Sequence, residues 1–255
     1  MSIEGAVALV TGGATGIGRA VCEQLAARGV SAVVIDYSRS EEAAAELAGR
    51  LRASGIDAWA APADVGDQRT GSALIQQILD RHGRLDLLVN SAATTRFIPH
   101  QDLDALTDEV WQTILRTNLM GPFYLARAAS AALRRSRGAI VSIASIAGHR
   151  GTGSSIPYAV SKAALLQLTR SLAIALAPEV RVNAVSPGHV DTRWHSDHLG
   201  DEAAAELARH NAEAEPMRRT ATPEDVAQVV LGLLDSAMVT GQTLIVDGGK
   251  HLRYG

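Results

Sequence analysis

Short apolar runs alternate with longer stretches whose apolar residues recur at helical spacing, and the alternation continues along the chain. Ala6-Val-Ala-Leu-Val10 reads as a strand. Ala20, Val21, Leu25 and Ala26 then mark one face of a helix that stops at Gly29. Ala32-Val-Val-Ile35 is a second strand, closing on Asp36. The same pattern predicts helices over 41–54, 69–82, 158–177 and 223–236, and strands over 58–61, 85–89, 139–143, 180–185 and 243–246. Residues 108–135 read as one long helical stretch, bent at Gly121-Pro122.

Most of these strands are continuously apolar rather than alternating. That is the mark of a parallel sheet covered on both faces, and strand–helix alternation points to the same α/β class. No linker or composition break divides the chain, so a single domain over 1–255 is expected. One region, 189–220, lacks a clear pattern. It is rich in charge, holds four of the eight histidines, and follows a strand, which is where a substrate lid is expected.

Composition changes this picture little. With 47% hydrophobic and 20% charged residues, the 255-residue chain resembles an ordinary globular protein. A net charge of −3 without a basic stripe argues against nucleic acid and anionic membranes as partners. No basic-then-apolar leader precedes the first strand, and no uninterrupted apolar stretch reads as a membrane span. The single cysteine, Cys22, falls in an apolar helical pattern and reads as buried filler. A cytoplasmic, reducing location fits these features.

Two groups of residues carry chemistry. Gly12, Gly16 and Gly18 lie between the first strand and the first helix, where glycines let a backbone approach a pyrophosphate and the helix N-terminus attracts its charge. Their G-x-x-x-G-x-G spacing departs from the commoner G-x-G-x-x-G. Asp36, 18 residues after Gly18, is placed to bind the adenine-side ribose hydroxyls. Its charge repels a 2′-phosphate and points to NAD, whereas Arg39 could grip that phosphate and admit NADP. Tyr158 and Lys162 are four residues apart, one helical turn, on one face. An adjacent ammonium favours the ionised phenol. Bringing a phenol from about 10 to about 7 takes ~4 kcal/mol of preferential stabilisation, and such a group could exchange protons near neutrality.

Taken in order, these residues resemble the short-chain dehydrogenase/reductase family over essentially the whole chain. The matching stretches are Thr11-Gly-Gly-Ala-Thr-Gly-Ile-Gly18, Asp64-Val65, Asn90-Ser-Ala-Ala93, Asn118, Ser145, Tyr158-x-x-x-Lys162, Ser186-Pro-Gly188 with Thr192, and Asp247-Gly-Gly249. The resemblance implies a doubly wound Rossmann fold with a seven-stranded parallel sheet, a nicotinamide cofactor, and a small-molecule alcohol or carbonyl substrate. It implies a homotetramer or homodimer, with helices 108–135 and 158–177 at the subunit contact.

By resemblance, Thr15, Ile17 and the glycines hold the dinucleotide, and Asp64 and Val65 meet its adenine. Asn90 and Ala92 support it, Pro187, Gly188, Val190 and Thr192 lie along the nicotinamide, and Lys162 holds the nicotinamide ribose. Ser145 is the expected partner of the substrate oxygen, and Asn118 is expected to bind a water linking Lys162 to solvent. One departure is visible: Asn90-Ser91-Ala92-Ala93 stands where the family commonly has Asn-Asn-Ala-Gly.

Substrate contacts are expected from 149–157 and from Trp194, with Met217 as further apolar cover. His195 and His198, three apart with His189 nearby, have no accompanying cysteine cluster, so no metal site is expected. The reading is an NAD-dependent oxidoreductase of secondary alcohols and ketones with Tyr158 as acid/base. An NADP-dependent 3-oxoacyl thioester reductase and a non-catalytic dinucleotide sensor are the alternatives.

Overall fold

The computed structural model describes residues 2–252, apart from the side chains of His195 and Ala214. Strands β1 (Val7–Thr11), β2 (Ala32–Tyr37), β3 (Asp57–Pro62), β4 (Leu87–Asn90), β5 (Ala139–Ile143), β6 (Arg181–Pro187) and β7 (Thr243–Val246) form one sheet. Its order is β3-β2-β1-β4-β5-β6-β7, and every pairing is parallel. The strand order reverses between β1 and β4, and ligands of such sheets bind at the crevice this opens beyond the strand ends.

Successive side chains of a strand point to opposite faces. Ala8, Val10, Val33, Ile35 and Val141 therefore pack one way, against helices α1 (Gly16–Ala27), α2 (Glu41–Ala53) and α9 (Pro223–Asp235). Val7, Leu9, Val34, Leu88 and Ile140 pack the other way, against α3 (Gln68–His82), α5 (Gly121–Ser136) and α6 (Ile156–Leu176). Both faces are covered, so the strands read as unbroken apolar runs. Buried Cys22 sits in the first layer, and burial raises its thiol's pKa.

Local sequence sets the helix ends. Asp67 caps α3 by accepting from the Arg69 amide at 2.7 Å, and Gly83, at φ +69°, closes it. Thr222 and Asp225 cap α9 reciprocally. Ser155 caps α6 by accepting from the Tyr158 amide at 3.4 Å. This start places Tyr158 in the first turn of α6 and Lys162 one turn on.

Three expectations change. The stretch 108–135 is not one bent helix. It is α4 (Asp108–Leu115), a wide π-helical turn at Arg116–Met120, then α5. The irregularity precedes Gly121-Pro122 because Pro122 has no N–H to give the carbonyl four residues back, that of Asn118. Segment 189–220 contains two helices, α7 (Arg193–Leu199) and α8 (Asp201–Ala214). The alanine- and glutamate-rich sequence of α8 and its acidic first turn are helix signals the charge obscured. Finally, α6 is long and apolar enough, by length and composition, to cross a membrane. In this fold it is a layer helix: Leu165, Leu166, Ala173 and Leu176 are buried and Ile174 is exposed.

Candidate functional site

A groove of about 1780 Å³ runs along the C-terminal ends of the strands. Gly12, Thr15, Gly16, Ile17, Asp36, Asp64, Val65, Ala92, Ser145, Tyr158, Lys162, Pro187, Gly188, Val190 and Thr192 all line it. Gly18, Asn90 and Asn118 do not. They lie behind its wall.

The glycine turn closes tightly. A Cβ on Gly18 would stand 2.2 Å from the Gly12 carbonyl oxygen, so no side chain fits there. Gly12 itself is at φ +59°, with the Ala92 backbone 3.0 Å from its missing Cβ. The helix that follows, α1, has no side-chain cap and no acidic residue in its first turn, so its first amides face the groove without a competing anion.

Asp36 is 1% exposed. Its Oδ2 accepts from the Gly12 amide at 3.3 Å, and its buried Oδ1 has no hydrogen-bond partner. Burial pushes the carboxyl up to about 7, against the pull of the Gly12 and Ala63 amides and with Asp64 adding to the rise. A buried oxygen without a donor is costly unless a ligand supplies one. Ribose hydroxyls are such donors, so tight turn, uncapped helix and waiting carboxylate fit a dinucleotide. Exposed Arg39 also lines this end.

The segment after β4 is pinned from both sides. Thr11 Oγ1 accepts from the Ser91 and Ala92 amides at 3.0 and 3.1 Å. Asn118, 1% exposed, accepts from the Thr94 amide at 2.8 Å and donates to the Thr94 carbonyl and to Ser161 Oγ, both at 3.0 Å. Asn90 donates to Ser142 Oγ at 3.2 Å, across β4 and β5. Ala93, where the family commonly has glycine, keeps an ordinary φ. Thr11, Thr94, Ser142 and Ser161 are supports the sequence reading did not assign. A threonine directly before the glycine turn was the available signal.

Lys162 is 2% exposed and donates to the Ile143 carbonyl at 2.8 Å. Its Nζ lies 5.6 Å from the centre of the Tyr158 ring. Burial lowers its pKa to about 8. The expected depression of the phenol is not what the chain alone produces: burial raises Tyr158 to about 12, and the Ser145 hydroxyl only partly offsets this. The reason is desolvation of the half-buried phenol by the surrounding protein, while the ammonium is bonded to the Ile143 carbonyl. Ser145 also accepts from the Ala147 amide at 3.1 Å, fixing its side chain.

Segment 189–220 spans the groove's remaining side. Val190 bridges Ala221, the Asp191 amide donates to Ala221 at 3.1 Å, and the Met217 amide donates to Gly248 at 3.2 Å. Thr192 caps α7, and its Cγ2 stands 3.4 Å from where Gly16 would carry a Cβ. Trp194 lines the groove as expected. Met217 does not: it is exposed and absent from the lining, because the turn it sits on packs toward Gly248. The histidines face separate partners. His198 Nδ1 is 2.8 Å from the Trp194 carbonyl, and His189 Nδ1 is 3.5 Å from Asn211 Nδ2. His195's side chain lies outside the described residues.

Known proteins share this arrangement. A family model described as enoyl-(acyl carrier protein) reductase matches residues 12–251. A Streptomyces violaceoruber protein named as ketoacyl reductase 2 of the granaticin polyketide synthase is 46% identical, over 98% of this chain and 97% of its own. A solved short-chain dehydrogenase/reductase of Burkholderia xenovorans superposes with a TM-score of 0.89 at 34% identity, covering 97% of this chain and 98% of its own. A gluconate 5-dehydrogenase of Burkholderia cenocepacia, solved with NADP and tartrate, gives 0.89 at 31% identity, covering 99% and 98%. The likeness extends from the glycine turn to the strand after α9, and on that ground the chain belongs to the short-chain dehydrogenase/reductase family of oxidoreductases.

Proposed function

We propose that this enzyme interconverts a secondary alcohol and its ketone with NAD, and that Tyr158 exchanges the proton. One observation carries the reading: Tyr158, Ser145 and buried Lys162 line the groove that also holds the glycine turn and the unpartnered oxygen of Asp36. A nicotinamide dinucleotide bound there supplies or accepts the hydride, and in its oxidised form adds a positive charge beside the phenol.

The residues do the rest. Ser145 orients the substrate oxygen and stabilises its developing charge. Tyr158 donates its proton to that oxygen in reduction and takes it back in oxidation. With its value raised to about 12, the phenol is protonated at neutral pH, so the chain by itself is set as an acid for ketone reduction. Lys162, turned from the Ile143 carbonyl, would hold the cofactor's ribose and stabilise the phenolate, and a water donating to the remaining lone pair of Asn118 Oδ1 would connect it to solvent. Thr15, Ile17 and the glycine turn take the pyrophosphate, Asp64 and Val65 border the adenine, and Pro187 to Thr192 border the nicotinamide. Segment 189–220 acts as a lid on one domain. The exposed faces of α4, α5 and α6 meet a second copy in a dimer or tetramer, in the cytoplasm.

Asp36 favours NAD. A second reading, an NADP-dependent reductase of 3-oxoacyl thioesters, draws on Arg39 at the same end and on the ketoacyl reductase similarity. Titrating the protein with NAD and NADP separates the two, and a clear NADP preference sinks the first. A panel of alcohols and ketones followed by NADH absorbance tests the reaction itself. Tight cofactor binding without turnover on any of them would instead mark a dinucleotide sensor.

A further inference from the structure

Around Tyr158 the groove is walled by rings from three separate segments. The Trp194 ring of α7 lies 6.2 Å from the Tyr158 ring, tilted by 47°. His198, one turn further along α7, lies 5.7 Å from Trp194 at 43°. Phe97, on the loop after β4, lies 5.3 Å from His198 at 47°. The chain has only nine Phe, Trp and Tyr residues, and three of them meet here. The three ring pairs are tilted rather than stacked, so none of them is closed face to face. Ile98 and Leu207 add apolar surface to the same lining.

Most buried polar groups nearby are committed, and His100 Nε2, in the same lining, is the one left without a hydrogen-bond partner among the described residues beside the rings. Thr95 Oγ1 and Ser154 Oγ are bonded to each other at 2.5 Å. The Ser154 carbonyl takes the Ile98 amide at 2.9 Å, and Asn118 is occupied by Thr94 and Ser161. The charged lining residues Arg96, Arg193 and Asp197 are exposed. A polyol would need a partner for every hydroxyl it brings out of water, and beside the rings these are His100 Nε2 and side chains that stay in solvent. A flat apolar ring needs none beyond the pair at its reacting oxygen.

We propose that the substrate carries its reacting oxygen on a flat apolar ring system, as an aromatic or fused-ring ketone or the matching alcohol, seated against Trp194 with His198 and Phe97 extending the wall. Ser145 and Tyr158 hold the oxygen, and Trp194 selects the ring. In reduction the hydride adds to the carbonyl carbon, the C=O π electrons move to oxygen, and the Tyr158 proton completes the alcohol. The proposal rests on the dehydrogenase reading above and extends it to a substrate class.

The test compares three probes with the full-length protein and either reduced dinucleotide: 1-tetralone, acetoacetyl-coenzyme A and fructose. The wild type should favour 1-tetralone in kcat/KM by roughly tenfold or more, the scale of a favourable aromatic contact. Trp194→Leu should lower kcat/KM for 1-tetralone about tenfold, mainly through KM, and lower it several-fold less for the thioester. Trp194→Phe should recover part of the loss. Preference for the thioester or the sugar, or an equal loss on all probes in Trp194→Leu, overturns the proposal while leaving the dehydrogenase reading intact. Calorimetric titration of 1-tetralone into the dinucleotide complex covers the remaining case. Ring binding that Trp194→Leu abolishes, without turnover on any probe, supports the ring site and removes the dehydrogenase reading. Absence of ring binding overturns the ring site.

Discussion

The wall that carries Tyr158 and the segment 189–220 facing it hold their polar groups differently. On the wall, Lys162 and Asn118 are almost completely buried, and each bonds across elements, to β5 or to the loop after β4. Strand register and helix packing together fix where those atoms stand. In the facing segment, α7 and α8 are largely exposed; α8 is tied through Asn211 to His189 and Lys250, and further bonds gather at the base, near Ala221 and Gly248. At that base Glu215 is fully buried with neither carboxylate oxygen bonded. An over-determined wall suits proton transfer, which tolerates little displacement. A segment held at its ends suits the admission of different substrates.

The sharpest way to break this contrast is Tyr158→Phe. Turnover should fall by roughly 10³-fold, within the range of general acid–base catalysis, while dinucleotide affinity stays near wild type. Substantial residual activity would take Tyr158 out of the acid/base role.

Asn118→Ala comes next. It strips three buried hydrogen bonds, worth about 1 kcal/mol each, and should lower stability by about 2–3 kcal/mol in denaturant titration. A loss under about 0.5 kcal/mol would mean the wall is not fixed by this residue.

Asp36→Ala should weaken NAD about tenfold and improve NADP, as expected for loss of a charged acceptor. Asp36 also makes the wild type pH-dependent. Its folded value of about 7 lies above the ordinary 3.8, so the folded chain holds the proton more tightly. That contribution favours the fold most below about pH 4 and is lost as pH rises through about 7. Ribose hydroxyls donate best to the ionised form, so NAD affinity should rise between pH 6 and pH 8. A flat affinity profile would show that Asp36 does not meet the ribose.

Glu215→Gln should have the smallest effect. Burial raises the Glu215 pKa, with Asp247 adding to the rise and Lys250 and Arg219 opposing it. A raised acid loses its contribution as pH rises, so the neutral amide should stabilise more at pH 8 than at pH 5, by about 1 kcal/mol at most. Equal melting curves at pH 8 would indicate that Glu215 is no burden on the facing segment's base.

How much was legible divides along the same line. Continuous apolar strands such as 6–10 and 32–35 gave the parallel sheet, because both faces are covered. Most motif residues fell into one groove at the strand ends, with Gly18, Asn90 and Asn118 behind its wall. The supports did not show. Ser142 and Ser161 act through Asn90 and Asn118, which spacing cannot reveal. In the chain alone burial raises the Tyr158 phenol, a cost that the sequence, which shows only the neighbouring Lys162, does not reveal. Helix α8 was hidden by its charges, and the turn at Arg116–Met120 by the ordinary helical pattern on either side of it.

That wide turn has a geometric consequence. An α-helix advances about 100° per residue, so a turn holding one extra residue shifts the phase of all that follows. Up to residue 115 the helix buries Ile114, and after residue 121 it buries Leu125, Ala129 and Leu133 against the sheet. The two faces belong to different angular frames, and the turn is the joint that reconciles them, with Asn118 on the inside of the joint. Removing one residue there would not merely shorten the helix. It would rotate the downstream core face by about a quarter turn and swing Asn118 away from Thr94 in the same motion.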